Sequence, residues 1–210
     1  MLIRNFVDFV NTKGSSQINC IFDIGSRDLD QSIEFNSLYP NAKIYAFEPN
    51  PEQFEICKSK SLVYPNITVE QLAISDKTGY LDFYKTLGNI GASSLLEPIS
   101  VPFASSQDVE KITVKSDTLK NWMDANKVNA VDVMWMDTQG IELAALRGMG
   151  DYLKTVKFIH CEASRDPYYK GHMLKSDLEN FLVENGFEIN FHEVHHPFGE
   201  GDLFCYNKNL

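Results

Sequence analysis

Five short clusters of acidic and small polar residues lie at points along the chain where a run of apolar residues ends. The clusters are Asp23-Ile24-Gly25-Ser26, Glu48-Pro49-Asn50, Ala73-Ile74-Ser75-Asp76, Asp137-Thr138-Gln139-Gly140 and Glu162-Ala163-Ser164. Because it has no Cβ, a glycine such as Gly25 lets the backbone approach a ligand closely. A carboxylate such as Glu48, 25 residues beyond Asp23, can accept hydrogen bonds from both hydroxyl groups of a ribose. The spacing therefore predicts a site for a nucleoside-containing cofactor.

Two classes of cofactor contain such a ribose, and the turn after the first cluster distinguishes them. A dinucleotide site carries the pattern G-x-G-x-x-G, whose second glycine makes room for a pyrophosphate. Here the turn reads Gly25-Ser26-Arg27-Asp28, and a further acid follows at Asp30. Those acids would repel a pyrophosphate, whereas they tolerate the amino group and sulfonium cation of S-adenosylmethionine. The turn favours S-adenosylmethionine, with a NAD-dependent oxidoreductase as the alternative.

Three residues at the ends of two later strands are candidates for proton transfer. Methyl transfer is a single displacement, so alignment is the main task of the enzyme, but an alcohol acceptor also needs a base or a metal ion to take its proton. Asp137, His160 and Glu162 can meet that need, and alternation along a strand makes His160 and Glu162 face the same way. The alternative for His160 is a core histidine that hydrogen-bonds within the protein. Asp137, Glu162 and Asp166 are candidate oxygen ligands for Mg²⁺.

The elements that must position these residues alternate between apolar strands and amphipathic helices. Strands are predicted at residues 18–24, 43–47, 67–74, 80–84, 111–115, 131–136, 156–161, 187–191 and 203–206. Strand–helix alternation predicts an α/β fold, with a parallel sheet and helices on both of its faces. The last two strands are joined by a loop without a helix, which predicts one antiparallel strand. Ligands of such sheets bind outside the carboxyl ends of the strands.

Several connections have predicted roles of their own. Residues 1–16 are expected to form a helical extension of a single domain that spans residues 1–210. Asp117 is expected to cap the helix that contains Trp122, and both tryptophans, Trp122 and Trp135, are expected to fill the core. The loop at residues 86–108 has no clear periodicity, and a loop of that length is usually functional or disordered. We expect it to form the acceptor side of the pocket together with residues 163–172.

Four segments in a fixed order carry a more specific resemblance. They are IFDIGSRDLDQS, AFEPNPEQFEICK, LAISDKTGYLDFY and VDVMWMDTQGIELAALRGM. The Glu-Pro-Asn-Pro after the second strand, and the block Asp137-x-x-Gly140-x-Glu142 followed by leucines and Gly148, resemble the FkbM family of methyltransferases. The resemblance extends over residues 18–206. The chain departs from the family pattern at Leu29, where a second glycine is more usual, and at Gln139, where many members have Glu.

The resemblance implies a Rossmann-like class I methyltransferase fold, in which a seven-stranded, mostly parallel sheet has an antiparallel last strand. Together with the strand ends, it implies cofactor contacts at Asp23, Gly25, Ser26, Glu48, Pro49, Ala73, Ile74, Ser75 and Asp137. Members of the family are associated with O-methylation of sugars and of natural-product hydroxyls. The predicted function is therefore S-adenosylmethionine-dependent methyl transfer to a hydroxyl group of a sugar or glycan. A non-catalytic S-adenosylmethionine-binding module is a further alternative.

Composition restricts the partners and the compartment. The formal net charge is −10, and binding to a phosphate backbone generally needs a concentration of Lys and Arg, so a nucleic-acid partner is disfavoured. No stretch approaches the length of a membrane span, and the amino-terminal residues do not form a signal peptide. The four cysteines are widely spaced, which argues against a zinc cluster or a redox motif. We expect a cytoplasmic protein with reduced thiols.

Overall fold

The computed structural model describes residues 2–14, 17–99, 108–192 and 200–210. Its helices are α1 Leu2–Thr12, α2 Asp30–Leu38, α3 Pro51–Ser61, α4 Leu119–Asn126, α5 Glu142–Arg147 and α6 Lys175–Glu184. Its strands are β1 Cys20–Ile24, β2 Lys43–Phe47, β3 Ile67–Glu70, β4 Ala73–Ile74, β5 Gly79–Thr86, β6 Val109–Asp117, β7 Val133–Met136, β8 Phe158–Ser164, β9 Phe187–His192 and β10 Glu200–Asn207. Two 3₁₀ segments lie at Ile90–Ala92 and Gly150–Thr155.

Seven strands form the main sheet, in the order β3-β2-β1-β7-β8-β10-β9. The strands from β3 to β8 are parallel, whereas β10 is antiparallel to both of its neighbours. This confirms the predicted sheet with an antiparallel last strand. The chain reverses its connection order beside β1, so the ends of β1, β2 and β7 frame the crevice where such sheets bind ligands.

Each face of the main sheet has its own apolar core, because side chains alternate along the strands. Val133 and Trp135 of β7 pack on the face that α1, α2 and α3 cover. Met134 and Met136 pack on the opposite face, under α4, α5 and α6. In α1, the part of the predicted amino-terminal extension that the structure describes, Phe6 lies against the Phe204 ring at 5.3 Å between centroids. Residues 1, 15 and 16 of that extension lie outside the described residues.

A second sheet of three strands, in the order β4-β6-β5, corrects the prediction of one strand at residues 67–74. That segment forms two strands in different sheets. Its first part pairs with β2 up to Glu70, opposite Phe47, where β2 ends. The chain beyond Glu70 therefore has no partner in the main sheet, and Ala73 and Ile74 pair with β6 instead. The strands β5 and β6 form an antiparallel pair beside the main sheet.

The helix α4 begins with a cap that differs from the predicted one. The cap of α4 is Thr118, whose Oγ1 accepts from the Asn121 amide at 3.1 Å, and not Asp117 as predicted. Asp117 supports the cap instead, since its Oδ1 accepts from the Thr118 amide at 2.8 Å. Within the described part of the chain, none of the helices has the length and apolarity needed to cross a membrane.

Candidate functional site

A cleft of about 820 Å³, its open mouth included, lies at the carboxyl ends of β1, β2 and β7. Six of the nine predicted cofactor residues line it, namely Gly25, Glu48, Pro49, Ala73, Ile74 and Asp137. The other three, Asp23, Ser26 and Ser75, are buried behind its wall. The cleft therefore contains six of the nine predicted residues, and Asp23, Ser26 and Ser75 do not line it.

Asp23 is buried beneath the turn that follows β1 and hydrogen-bonds to it. Its carboxylate is 1% exposed and accepts hydrogen bonds from Ser26 Oγ at 2.9 Å and Ser32 Oγ at 2.5 Å. Burial raises the pKa of Asp23 to about 6, and the two hydroxyl donors offset part of that rise. Asp23 thus connects the turn to α2.

Gly25 brings β1 and β7 together at the edge of the cleft. It has a φ of +86°, and a Cβ at this position would overlap the carbonyl oxygen of Asp137. The amide of Gly25 donates to Phe47 O at 3.0 Å, and the amide of Asp137 donates to Ile24 O at 3.0 Å. The absence of a side chain is therefore required by the neighbouring backbone of Asp137.

The next residues of this turn show why a second glycine is usual in it. Arg27 and Leu29 adopt φ values of +49° and +69°, in the left-handed region that disfavours residues with a Cβ. The Leu29 side chain is fully buried in the core beneath α2. Its apolar burial offsets the backbone strain, so a leucine can occupy a position suited to glycine.

Glu48 is buried at the end of β2, with its carboxylate on the cleft. Its Oε2 accepts from the Arg27 amide at 2.8 Å, and its Oε1 accepts from the Asn50 amide at 2.8 Å. Burial raises the pKa of Glu48 to about 7, against the lowering effect of these two amides. Each carboxylate oxygen can accept a second hydrogen bond, so the pair of oxygens matches the two hydroxyls of a ribose.

The block that begins at Asp137 is a loop held by its own glutamate. Glu142 Oε1 accepts from both the amide and the Oγ1 of Thr138 at 2.9 Å, and Oε2 accepts from the Gly140 amide at 3.1 Å. Gly140 has a φ of +100°, and a Cβ there would lie 2.9 Å from the His172 ring. A Cβ on Gly148 would likewise overlap the carbonyl oxygen of Ser75. These contacts explain the residue types and spacing of the block.

Gln139 stands between the two carboxylates that were predicted to act together. Its Nε2 donates to Asp137 Oδ1 at 2.7 Å and to Glu162 Oε2 at 2.6 Å, while Tyr169 Oη donates to its Oε1 at 2.9 Å. The structure thus brings Asp137 and Glu162 together, but only Asp137 lines the cleft.

The Mg²⁺ prediction is not supported. Over the described ranges, no group of three or more His, Cys, Asp or Glu residues is placed to hold a metal ion. A neutral amide, that of Gln139, occupies the space between Asp137 and Glu162, and Asp166 is exposed. A metal site would need a further oxygen ligand between Asp137 and Glu162, and the amide nitrogen of Gln139 lies there instead.

His160 lies beneath the cleft and does not line it. Its ring is 2% exposed and stacks on Trp135, with centroids 3.6 Å apart. Its Nε2 is 2.7 Å from Asp202 Oδ1, and the Phe6 ring of α1 covers it at 6.1 Å. This arrangement corresponds to the alternative of a hydrogen-bonded core histidine. We therefore expect His160 to stabilise the wall behind Trp135, which itself lines the cleft.

Replacing His160 by Gln tests this role. We expect His160→Gln to lower the free energy of unfolding by about 1–3 kcal/mol, because the buried hydrogen bond to Asp202 is weakened. Methyl transfer should stay within about threefold of wild type, since losing a general base costs 10²–10⁴-fold. Urea unfolding and a methyl-transfer assay measure the two effects. A loss of activity above a hundredfold in a folded variant would restore His160 as a base.

One loop forms the wall opposite the strand ends, whereas none of residues 163–172, which were predicted to share this role, lines the cleft. Ile90, Gly91, Ser93 and Leu95 of the loop at residues 86–108 line the cleft, and residues 100–107 of that loop lie outside the described residues. Ser94 Oγ donates to Gln139 O at 2.8 Å. The Ile99 amide donates to Tyr168 O at 2.8 Å, which joins this loop to the one at residues 163–172.

Sequence reasoning missed several residues of the cleft. They include Arg27, Gln31, Gln53, Leu72, Phe83 and Trp135. Gln31 and Gln53 lie in the first turns of α2 and α3, and the first turn after a strand faces the same crevice as the strand end. That rule would have identified them. Phe83 has no local signal, because it reaches the cleft from the second sheet.

Comparison with known proteins places this geometry in context. The family model described as the methyltransferase FkbM domain matches residues 23–189. The chain is 28% identical over 199 residues to the 2-O-methyltransferase NoeI of Sinorhizobium fredii (strain NBRC 101917 / NGR234), an alignment that covers 90% of this chain and 80% of that protein.

Solved structures with a similar fold include an S-adenosylmethionine-dependent methyltransferase from Aquifex aeolicus. It has a TM-score of 0.52 and 13% identity, with 94% of this chain and 87% of that chain covered. Precorrin-6y C5,15-methyltransferase from Geobacter metallireducens GS-15 has a TM-score of 0.50 and 15% identity, with 95% and 84% covered. Together with the strand order, these similarities confirm the predicted class I methyltransferase fold.

Proposed function

We propose, from the premise that this chain belongs to the FkbM family of methyltransferases, that it transfers a methyl group from S-adenosylmethionine to a hydroxyl group of a sugar or glycan. The observation that carries the proposal is the cleft that brings Gly25, Glu48 and Asp137 to adjoining strand ends. The similarity to NoeI, a 2-O-methyltransferase, supports a hydroxyl acceptor.

The residues present in the cleft fit S-adenosylmethionine. The free acceptor positions of the Glu48 carboxylate suit the ribose hydroxyls. Gly25 and Asp137, which lie side by side at the mouth of the cleft, leave the methionine end to the region between β1 and β7. When bound, S-adenosylmethionine supplies a methyl group that an oxygen nucleophile can attack. The protein's own part is to orient both partners and to exclude water from them.

Asp137 is the group of this chain that we propose as the acceptor's base. It is exposed on the cleft at the end of β7, and Gln139 holds its Oδ1. The other oxygen, Oδ2, can take the proton of an acceptor hydroxyl as the oxygen–methyl bond forms. We propose Glu162 as a positioning residue, because it bonds the same Gln139 amide from outside the cleft.

Charge and cysteine chemistry support the proposed acceptor class and compartment. A net charge of −10 favours a neutral small molecule or glycan over nucleic acid. All four cysteines are free thiols, which fits our proposal of a reducing cytoplasm. The family and the solved neighbours are methyltransferases, which supports methyl transfer over the NAD-dependent alternative.

A two-part experiment tests the proposed function. Calorimetric titration with S-adenosylhomocysteine and with NADH comes first, and we expect binding of the former alone. A panel of sugars and glycans is then incubated with methyl-labelled donor, with and without EDTA, and we expect transfer that EDTA does not change. Tighter binding of NADH would overturn the donor. Donor binding without transfer to any member of the panel would favour the non-catalytic alternative.

The raised pKa of Glu48 predicts that the affinity for the methyl donor depends on pH. Its pKa of about 7 means that a substantial fraction of the free protein holds Glu48 protonated near neutrality. Ribose hydroxyls donate to the ionised form, so donor binding should release a proton and weaken as the pH falls. We expect the affinity for S-adenosylhomocysteine to drop by up to about tenfold between about pH 8 and pH 6.

Glu48→Gln is the variant that assigns this dependence. It should bind S-adenosylhomocysteine about tenfold more weakly at high pH, with most of the pH dependence gone. Asp23, whose pKa is about 6, titrates in the same range behind the same turn. Any change of affinity with pH that remains in the variant is therefore assigned to Asp23. Calorimetry at three pH values measures both proteins. An equal change of affinity with pH in wild type and variant would contradict the assignment to Glu48.

A further inference from the structure

The order of the strands in the sheet fixes which residues lie at each end of the cleft. Asp137 follows β7, Gly25 follows β1, Glu48 follows β2, and Leu72 comes after β3, in the order of the sheet. With Glu48 at the ribose, the reacting end lies toward Gly25 and Asp137. The opposite end is walled by Pro49, Leu72, Ile74, Phe83 and Leu95, and such apolar walls suit the faces of a planar base.

One polar side chain at that end has its full hydrogen-bonding capacity free. Gln53 lines the cleft and is 8% exposed. No hydrogen bond to its amide is found among residues 2–14, 17–99, 108–192 and 200–210. In the same ranges only Tyr39 Oη and His160 Nδ1 are both unpartnered and closed off from solvent. The Gln53 amide is therefore buried in the wall and still open to the cleft.

Its neighbour Asn50 does not have the same capacity. Asn50 also lines the cleft, but its Oδ1 accepts from the Glu52 amide at 3.1 Å as the cap of α3. Its NH₂ group and one acceptor position on Oδ1 remain, but the cap bond fixes the orientation of the carboxamide. Gln53 offers both an acceptor and a donor, and a carboxamide with both groups free can form two hydrogen bonds to the 6-amino group and a ring nitrogen of adenine.

The geometry points to Gln53 as the residue that recognises the adenine of the methyl donor. Its Oε1 accepts from the 6-amino group, and its Nε2 donates to the adjacent ring nitrogen. Gln53 thereby sets the base specificity of the cleft, while Glu48 holds the ribose. The inference rests on the proposed function, because it requires an adenosine-containing donor.

The test is a double-mutant cycle between protein and ligand. Wild type and Gln53→Met, a variant of similar side-chain length without polar hydrogens, are titrated with S-adenosylhomocysteine and with its analogue that has hydrogen in place of the 6-amino group. We expect wild type to bind the analogue at least about tenfold more weakly. Gln53→Met should bind S-adenosylhomocysteine about tenfold more weakly and distinguish the two ligands by less than about threefold.

Gln71→Met is the matched control, since Gln71 is exposed and does not line the cleft; it should behave as wild type. Equal discrimination by wild type and Gln53→Met would overturn the role of Gln53, although donor binding would stand. Failure of wild type to bind S-adenosylhomocysteine would instead overturn the proposed donor. If Gln53→Met does not fold, Gln53→Leu takes its place in the same cycle, and indifference of wild type to the 6-amino group would by itself overturn the recognition.

Discussion

Gly25→Ala should lower the free energy of unfolding by about 3–5 kcal/mol and nearly abolish donor binding. Two costs add at this position. The backbone at φ +86° is strained for any residue with a Cβ, and the new methyl group overlaps the Asp137 carbonyl oxygen. Relief of that overlap must separate β1 from β7, which the Asp137–Ile24 hydrogen bond joins, and it strains the Gly25–Phe47 hydrogen bond to β2. The loss is large beside a typical total stability of about 5–15 kcal/mol.

Gly14→Ala separates the two costs, because Gly14 has a similar φ of +75° with nothing within 4 Å of an added Cβ. It should lose only about 1–2 kcal/mol and keep its donor affinity. Urea unfolding and calorimetry with S-adenosylhomocysteine measure both variants. A Gly25→Ala protein no less stable than Gly14→Ala would show that β1 and β7 do not approach as closely as the structure indicates.

The sequence predicted the main sheet well because its strands are buried on both faces. Such strands are short and continuously apolar, and their polar ends mark where the chain leaves the sheet. The second sheet had no comparable signal. Residues 67–74 are uniformly suited to a strand, and the break after Glu70 depends on where the partner strand β2 ends. Pairing across sheets is a long-range property that local periodicity does not contain.

The same distinction explains the outcome for His160. Alternation placed His160 and Glu162 on one face of β8, and the register puts His160 opposite Trp135 on that face. Alternation does not predict how far along the strand from the cleft a residue lies. His160 lies one layer below the cleft, where Phe6 of α1 and Phe204 cover it. The position of α1 is set by tertiary packing, so a local pattern at residues 158–164 could not exclude a catalytic role.

Leu29 and Gln139 show how a departure from a family pattern becomes interpretable in the structure. Both have positive φ values, and each has a compensating interaction elsewhere in the chain. Leu29 is buried beneath α2, and Gln139 donates to two carboxylates. In each case the substitution keeps the local backbone and adds a contact that only the folded chain supplies.

Gln139 bridges two carboxylates, of which only Asp137 lines the cleft. Asp137→Asn should reduce the rate of methyl transfer by about 10²–10⁴-fold, because an amide cannot take the proton of the acceptor hydroxyl. The side chain keeps its shape, so the affinity for S-adenosylhomocysteine should change by less than about threefold. Single-turnover rates with labelled donor, beside calorimetry, separate these two quantities.

Glu162→Gln provides the comparison that identifies the base. Glu162 is linked to Asp137 through the Gln139 amide, so its loss should misplace the base and slow transfer by about tenfold, short of the loss expected for Asp137→Asn. Asp166→Asn, at an exposed position, should leave the rate unchanged. If Glu162→Gln is the slower of the two variants, the proton passes to Glu162 and Asp137 becomes the positioning residue. If neither variant is slowed, alignment of the acceptor in the cleft is sufficient for transfer, and no carboxylate of this pair acts as a base.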